Sequence, residues 1–128
     1  MQYDNQQSAR ILIVDDEPII ALSLEEILVD AGFTIAAVVH KLDKALVLIK
    51  GGACDAAIID ANLAGVSASP AASALATRGL PFIVLSGYSR EQLEDDFPGA
   101  LFMQKPCRPA QLIHAVSAMV LKRAARSG

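Results

Sequence analysis

Residues Ile11–Pro18 read ILIVDDEP: four consecutive aliphatic residues, three acids, then a proline. An apolar run of that length without alternation suits a strand covered on both faces, as in a parallel sheet. Proline suits the first turn of a helix, where its missing N–H is an orphan anyway. Strand, acidic turn and helix start therefore succeed one another within this short stretch.

The same alternation continues along the chain. Further apolar runs stand at Ile35–Val39, Ala56–Ile59, Phe82–Leu85 and Leu101–Met103, with segments of helical period between them. Ile20, Leu24, Ile27, Leu28 and Ala31 form one helical stripe, closed by Gly32. Leu42, Ala45, Leu46 and Ile49 repeat it ahead of Gly51 and Gly52. A third helix is expected with Ser69 as cap and Pro70 as first residue, ending at Gly79. A last one follows Pro109 with Leu112, Val116, Met119 and Val120 as its apolar face and Lys122, Arg123 and Arg126 at its basic end. Ser89 to Gly99 is acidic and poor in apolar anchors, so a short or irregular helix is expected there. Repeated β-α units with right-handed crossovers predict an α/β fold, a three-layer doubly wound five-stranded parallel sheet.

Composition sets the outer bounds. The chain has 128 residues, enough for one domain with a core of its own. Apolar residues make up 53%, which excludes disorder as the main state. A net charge of −3 leaves no basic excess to displace phosphate counterions, so nucleic acid is not expected as a partner. Two cysteines, Cys54 and Cys107, do not make a disulfide framework. No apolar run approaches the roughly 20 residues that span a bilayer. Residues 1–8 (MQYDNQQS) are polar and show no secretory pattern; a disordered tail is expected there, a domain over 9–124, a tail over 125–128, and a cytoplasmic location.

Doubly wound sheets bind ligands beyond the carboxyl ends of their strands. Asp15 and Asp16 follow the first strand, Asp60 the third, Ser86 the fourth, and Lys105 lies just past the fifth. A lone aspartate at such a place usually caps the next helix. Three carboxylates with one hydroxyl and one ammonium on a shared rim point to chemistry instead. Oxygen donors without clustered His or Cys select a hard cation such as Mg²⁺. Cation, lysine and hydroxyl together suit phosphoryl transfer to a carboxylate, and Asp60 at the end of the middle strand is the best nucleophile candidate. His40 and His114 read as solvated residues rather than ligands.

The set ILIVDDE, AAIIDAN, VLSG and QKP, in this order and spacing, resembles the receiver (CheY-like) domain of two-component response regulators, over about residues 9 to 124. The resemblance implies a flavodoxin-like sheet of order 2-1-3-4-5. It implies phosphorylation at Asp60, with Mg²⁺ held by Asp15, Asp16, Asp60 and the backbone carbonyl of Asn62. Ser86 and Lys105 take the phosphate-binding positions, Ser86 and Phe102 those of the switch residues, and Tyr88 stands where it could gate access of water. The donor would be a histidine kinase or a histidine phosphotransferase. Ser86-Gly87-Tyr88 resembles an alphaproteobacterial subgroup of stand-alone receivers with a Phe-Ala-Thr-Gly-Tyr-like fourth-strand motif and a remodelled fourth helix. Ala64 departs from the proline common four residues after the acceptor, within a loop of small residues (ANLAGVSAS). With the chain ending on its last helix, the expected output is binding to another protein or draining of phosphate, with phosphoryl transfer and hydrolysis that are self-catalysed. Two other readings of the same rim are weaker. An aspartyl-nucleophile phosphatase wants Asp-x-Asp where this chain has Asp60-Ala61-Asn62, and a flavin or nucleotide binder wants a glycine-rich turn after the first strand.

Overall fold

The computed structural model describes residues 9–87, 95–98 and 100–127, with side chains to 121. The expected N-terminal tail, Tyr88, most of the acidic segment around Glu91 and the side chains of Lys122, Arg123 and Arg126 lie outside the described residues. In chain order the elements are β1 (Arg10–Val14), α1 (Pro18–Asp30), β2 (Thr34–Val39), α2 (Leu42–Lys50), β3 (Ala56–Asp60), β4 (Asn62–Leu63), β5 (Val66–Ser67), α3 (Ser69–Thr77), β6 (Phe82–Ser86), β7 (Leu101–Gln104) and α4 (Pro109–Ser127).

Five strands form one sheet in the order β2-β1-β3-β6-β7, every pairing parallel. Counting only these strands, the order is the expected 2-1-3-4-5. The central strands β1 and β3 are apolar on both faces because side chains alternate between two helix layers. Leu12, Val14, Ala57, Ile59 and Val84 point to one face, where Ala45 and Ile49 of α2 and Ala71 and Leu75 of α3 cover them. Ile11, Ile13, Ile58, Ile83 and Leu85 point to the other, against Leu24 and Leu28 of α1 and Leu112, Val116 and Met119 of α4. Each fully buried Val, Leu or Ile side chain among these stabilises the fold by about 1.5–3 kcal/mol. The edge strands β2 and β7 are only half-buried, since each lacks a neighbour on one side. Among the described residues no helix is long and apolar enough to cross a membrane.

Helix ends follow the sequence signals with two corrections. Pro18 opens α1, and Gly32 (φ 94°) closes it in the left-handed region that favours glycine. There Phe33 N–H bonds the Leu28 carbonyl and Gly32 N–H that of Val29, a Schellman closure with Phe33 buried beside Leu28. Ala31 is the exposed cap rather than part of the apolar stripe, and Ala21 takes its place in the core. Ser69 is not a cap either. It lies inside α3, whose cap is Ala68, and its N–H is bonded by the Ser67 hydroxyl at 3.1 Å.

The stretch expected as a loop of small residues folds as a hairpin. β4 and β5 pair antiparallel, with Asn62 opposite Ser67 and Leu63 opposite Val66. The two connecting residues, Ala64 (φ 54°) and Gly65 (φ 89°), both have positive φ, as a type I′ turn requires. Proline is locked near φ −65°, so it cannot occupy position 64 in this backbone.

Candidate functional site

Because the sheet is parallel, the carboxyl ends of its strands share one edge, and the expected residues arrive there from separate elements. Asp15 follows β1, Asp60 and Ser86 are the last residues of β3 and β6, and Lys105 follows β7. Asp15, Asp60 and Ser86 are the buried polar residues of the described chain, at 0%, 7% and 4% exposure. Burial of carboxylates is costly unless they are paired. The pairing is done by Lys105, whose Nζ lies 3.0 Å from Oδ2 of Asp15 and 3.0 Å from Oδ2 of Asp60.

Carboxylate oxygens of Asp15, Asp16, Glu17 and Asp60 lie within 4.8 Å of one another. The donors are all oxygen and partly open to solvent, a set that fits a hard divalent cation and not a soft one. Glu17 is the member that sequence reading missed, although the DDE triplet carries its signal. It is the N-cap of α1 but makes no side-chain cap bond, and its Oε1 stands 3.8 Å from Lys105 Nζ. Asp15 Oδ1 accepts the Glu17 N–H at 3.0 Å, and Asp60 Oδ1 accepts the Asn62 N–H at 3.3 Å. Each carboxylate thus uses one oxygen to order its own turn and one to hold the lysine.

Burial pushes the Asp60 carboxyl above its ordinary range; the hydrogen bonds from Lys105 and from the Asn62 N–H pull the other way without cancelling it. For Lys105, burial alone would lower the pKa, but the bonds to Asp60 and Asp15 carry it above the ordinary lysine value. The site is therefore a charged lysine between carboxylates that are short of compensation.

Asn62 sits two residues beyond Asp60, and its side-chain Oδ1 accepts the Gly65 N–H at 2.7 Å. Committed to the turn, that side chain is no general acid, which removes the feature an Asp-x-Asp phosphatase would need. Ser86 is tied to the lysine through its carbonyl, which accepts the Lys105 N–H at 2.7 Å. The Lys105–Pro106 peptide is cis. Phe102 is half-buried and packs edge-to-face on Phe97, with ring centroids 6.4 Å apart and planes at 86°. It lies opposite Val84, one strand over and two residues before Ser86.

His40 is exposed, as expected, but it is not simply solvated: its Nδ1 lies 2.9 Å from the Asp15 carbonyl oxygen. His114 is exposed on α4. Cys107 is half-buried against the α1/α4 layer, and burial raises its thiol above the ordinary value. Tyr88, the gating candidate, is outside the described residues.

Comparison with known proteins gives these positions a context. No curated protein sequence matches the chain. The family described as response regulator receiver domain matches residues 11–117. A response regulator receiver protein from Sinorhizobium medicae is 30% identical, with a TM-score of 0.81 over 90% of this chain and 96% of that one. A CheY-like receiver domain protein from Methanospirillum hungatei (22% identity, TM-score 0.80, 92% and 98% covered) shares the fold. So does the receiver domain of the PhyR response regulator from Erythrobacter litoralis, at 24% identity and TM-score 0.78, with 90% and 92% covered. A match over most of the chain, on the same sheet order, assigns the family: the protein belongs to the response regulator receiver domains of two-component signalling.

Proposed function

We propose that Asp60 accepts a phosphoryl group from a phosphohistidine, on a histidine kinase or histidine phosphotransferase, in a Mg²⁺-dependent reaction. The observation that carries this is the placement of Lys105 Nζ 3.0 Å from both Asp15 and Asp60, within a cluster of oxygen donors only. Asp15, Asp16, Asp60 and the Asn62 backbone carbonyl are the groups that would hold the cation. When bound, the ion supplies positive charge that neutralises phosphoryl oxygens.

Asp60 Oδ2 is the oxygen nearest Lys105, and attack on phosphorus by an Asp60 oxygen forms the P–O bond of an acyl phosphate. The P–N bond to the donor imidazole breaks, and its electron pair leaves with the ring nitrogen. Lys105 then pairs with a phosphoryl oxygen in place of the Asp60 carboxylate it holds at rest. The Ser86 hydroxyl, at the end of the neighbouring strand, donates to another. The modification adds charge near −2 at the buried end of β3. That charge draws Ser86 and the turn after β6 inward, and Phe102 packs into the space so released, shifting a two-state equilibrium. Output is binding to a downstream protein, or removal of phosphate from a competing receiver. Hydrolysis of the acyl phosphate resets the switch.

The test is direct phosphorylation with a small donor such as acetyl phosphate, with and without Mg²⁺, read by intact mass. The wild type gains one phosphoryl group only with Mg²⁺, and Asp60→Asn gains none. Equal labelling of the two proteins overturns the reading.

A further inference from the structure

We infer that His40 is a positioning residue for this pocket: its imidazole holds the turn between β1 and α1 that presents Asp15, Asp16 and Glu17. The inference rests on the acceptor reading above and names a residue which that reading does not use.

The ladder between β1 and β2 runs to Val14 opposite Val39, and Asp15 N–H adds one more bond, to the Val39 carbonyl at 3.1 Å. The chain then turns away, since Lys41 is the N-cap of α2. The Asp15 carbonyl is met instead by a side chain, Nδ1 of His40 at 2.9 Å. A carbonyl only accepts, so Nδ1 is the donor in this bond. Both backbone groups of Asp15 are thus held by two successive residues at the end of β2.

That grip fixes the Cα–Cβ direction of a residue whose carboxylate is fully buried and engaged twice, by the Glu17 N–H and by Lys105. Metal-binding side chains are commonly oriented by partners one shell further out. His40 does this through the backbone. Its ring is exposed, so replacing it forfeits little buried surface, and the loss falls on the geometry of residues 15–17.

The experiment compares three variants. His40→Leu has similar bulk and no donor. His40→Asn places its amide nitrogen the same number of bonds from Cα as Nδ1. His40→Gln places it one bond further. Mg²⁺ affinity is read from the rise in melting temperature along a MgCl₂ titration, and acetyl phosphate labelling is followed separately. We expect His40→Leu and His40→Gln to bind Mg²⁺ about tenfold more weakly than wild type, with melting in EDTA close to wild type, and His40→Asn to restore the affinity. A purely structural histidine would shift melting in EDTA and leave the affinity unchanged.

Wild-type affinity in His40→Leu, or failure of His40→Asn to restore it, overturns the inference while wild-type labelling stands. A wild type that neither binds Mg²⁺ nor labels overturns the acceptor reading, and this inference with it.

Discussion

The Nζ of Lys105 lies 3.0 Å from Oδ2 of Asp60, across 45 residues of sequence, and equally close to Asp15, 90 residues away. One ammonium serving two buried carboxylates leaves negative charge in excess, and burial wins at Asp60, raising its pKa. A rim built this way is stable enough to fold and short of positive charge, which a cation can supply. The same imbalance sets the signs of the predictions for Asp60 and Lys105.

Asp60→Asn should stabilise the protein in metal-free buffer at neutral pH, by about 1 kcal/mol, because it removes an under-compensated buried charge. The sign follows from the raised pKa. Asp60 contributes stability while protonated, below the ordinary carboxylate range, and loses it as pH rises through the folded value. The gap between variant and wild type in urea melts should therefore be small at acid pH and widen upward. Saturating Mg²⁺ should narrow it again; a gap that stays flat with pH contradicts the assignment.

Lys105→Met should leave Asp15 and Asp60 facing each other unpaired and cost about 1–3 kcal/mol at neutral pH. Lys105 has a raised pKa, so its contribution is complete below the ordinary lysine value and fades as pH rises through the folded one. The difference in stability should hold level across neutral pH and shrink in strong alkali. Labelling by acetyl phosphate should drop at least tenfold while Mg²⁺ still binds.

Ala64 adopts φ 54° in the turn between β4 and β5, a region that disfavours L side chains. Ala64→Gly should raise stability by up to about 1 kcal/mol, and Ala64→Pro should lower it by more than that. Denaturant midpoints distinguish the two. The proline variant should also label more slowly, since the hairpin begins two residues after Asp60.

The two thiols should separate cleanly. Cys54 is 2% exposed and burial raises its pKa, so it stays protonated and inaccessible. Cys107 is half-buried and free. A thiol reagent at neutral pH should modify one cysteine in the native protein, Cys107, and both after unfolding; rapid native modification of Cys54 would contradict its place in the core.

Much of this was legible in the residues. Runs such as Ile11–Val14 and Ala56–Ile59 carry no alternation, so they had to be covered on both faces, and that alone implies parallel strands between two helix layers. Asp15, Asp60, Ser86 and Lys105 each stand at or just past the end of such a run, and parallel strands bring those ends together. The hairpin from Asn62 to Ser67 was not legible. Its signal is two short apolar residues, Leu63 and Val66, around an Ala-Gly pair, and alanine gives no hint of positive φ. Ser69 was misread for a related reason: the residue that bonds into the helix start, Ser67, belongs to that unforeseen hairpin. Glu17 read only as part of the acidic turn, and its place in the carboxylate cluster, 3.8 Å from Lys105 Nζ, depends on where Lys105 lies.

Local patterns of polarity and turn residues therefore dictated which segments form the five-stranded sheet and its helices and which side chains stand at strand ends, because those depend on periods of a few residues. How the ends are charged and held depends on distances between segments far apart in the chain. That Lys105 bridges two acids, that Asp60 is raised by burial and that the His40 ring reaches the Asp15 carbonyl all follow from packing five strands side by side. No short window of sequence contains those distances.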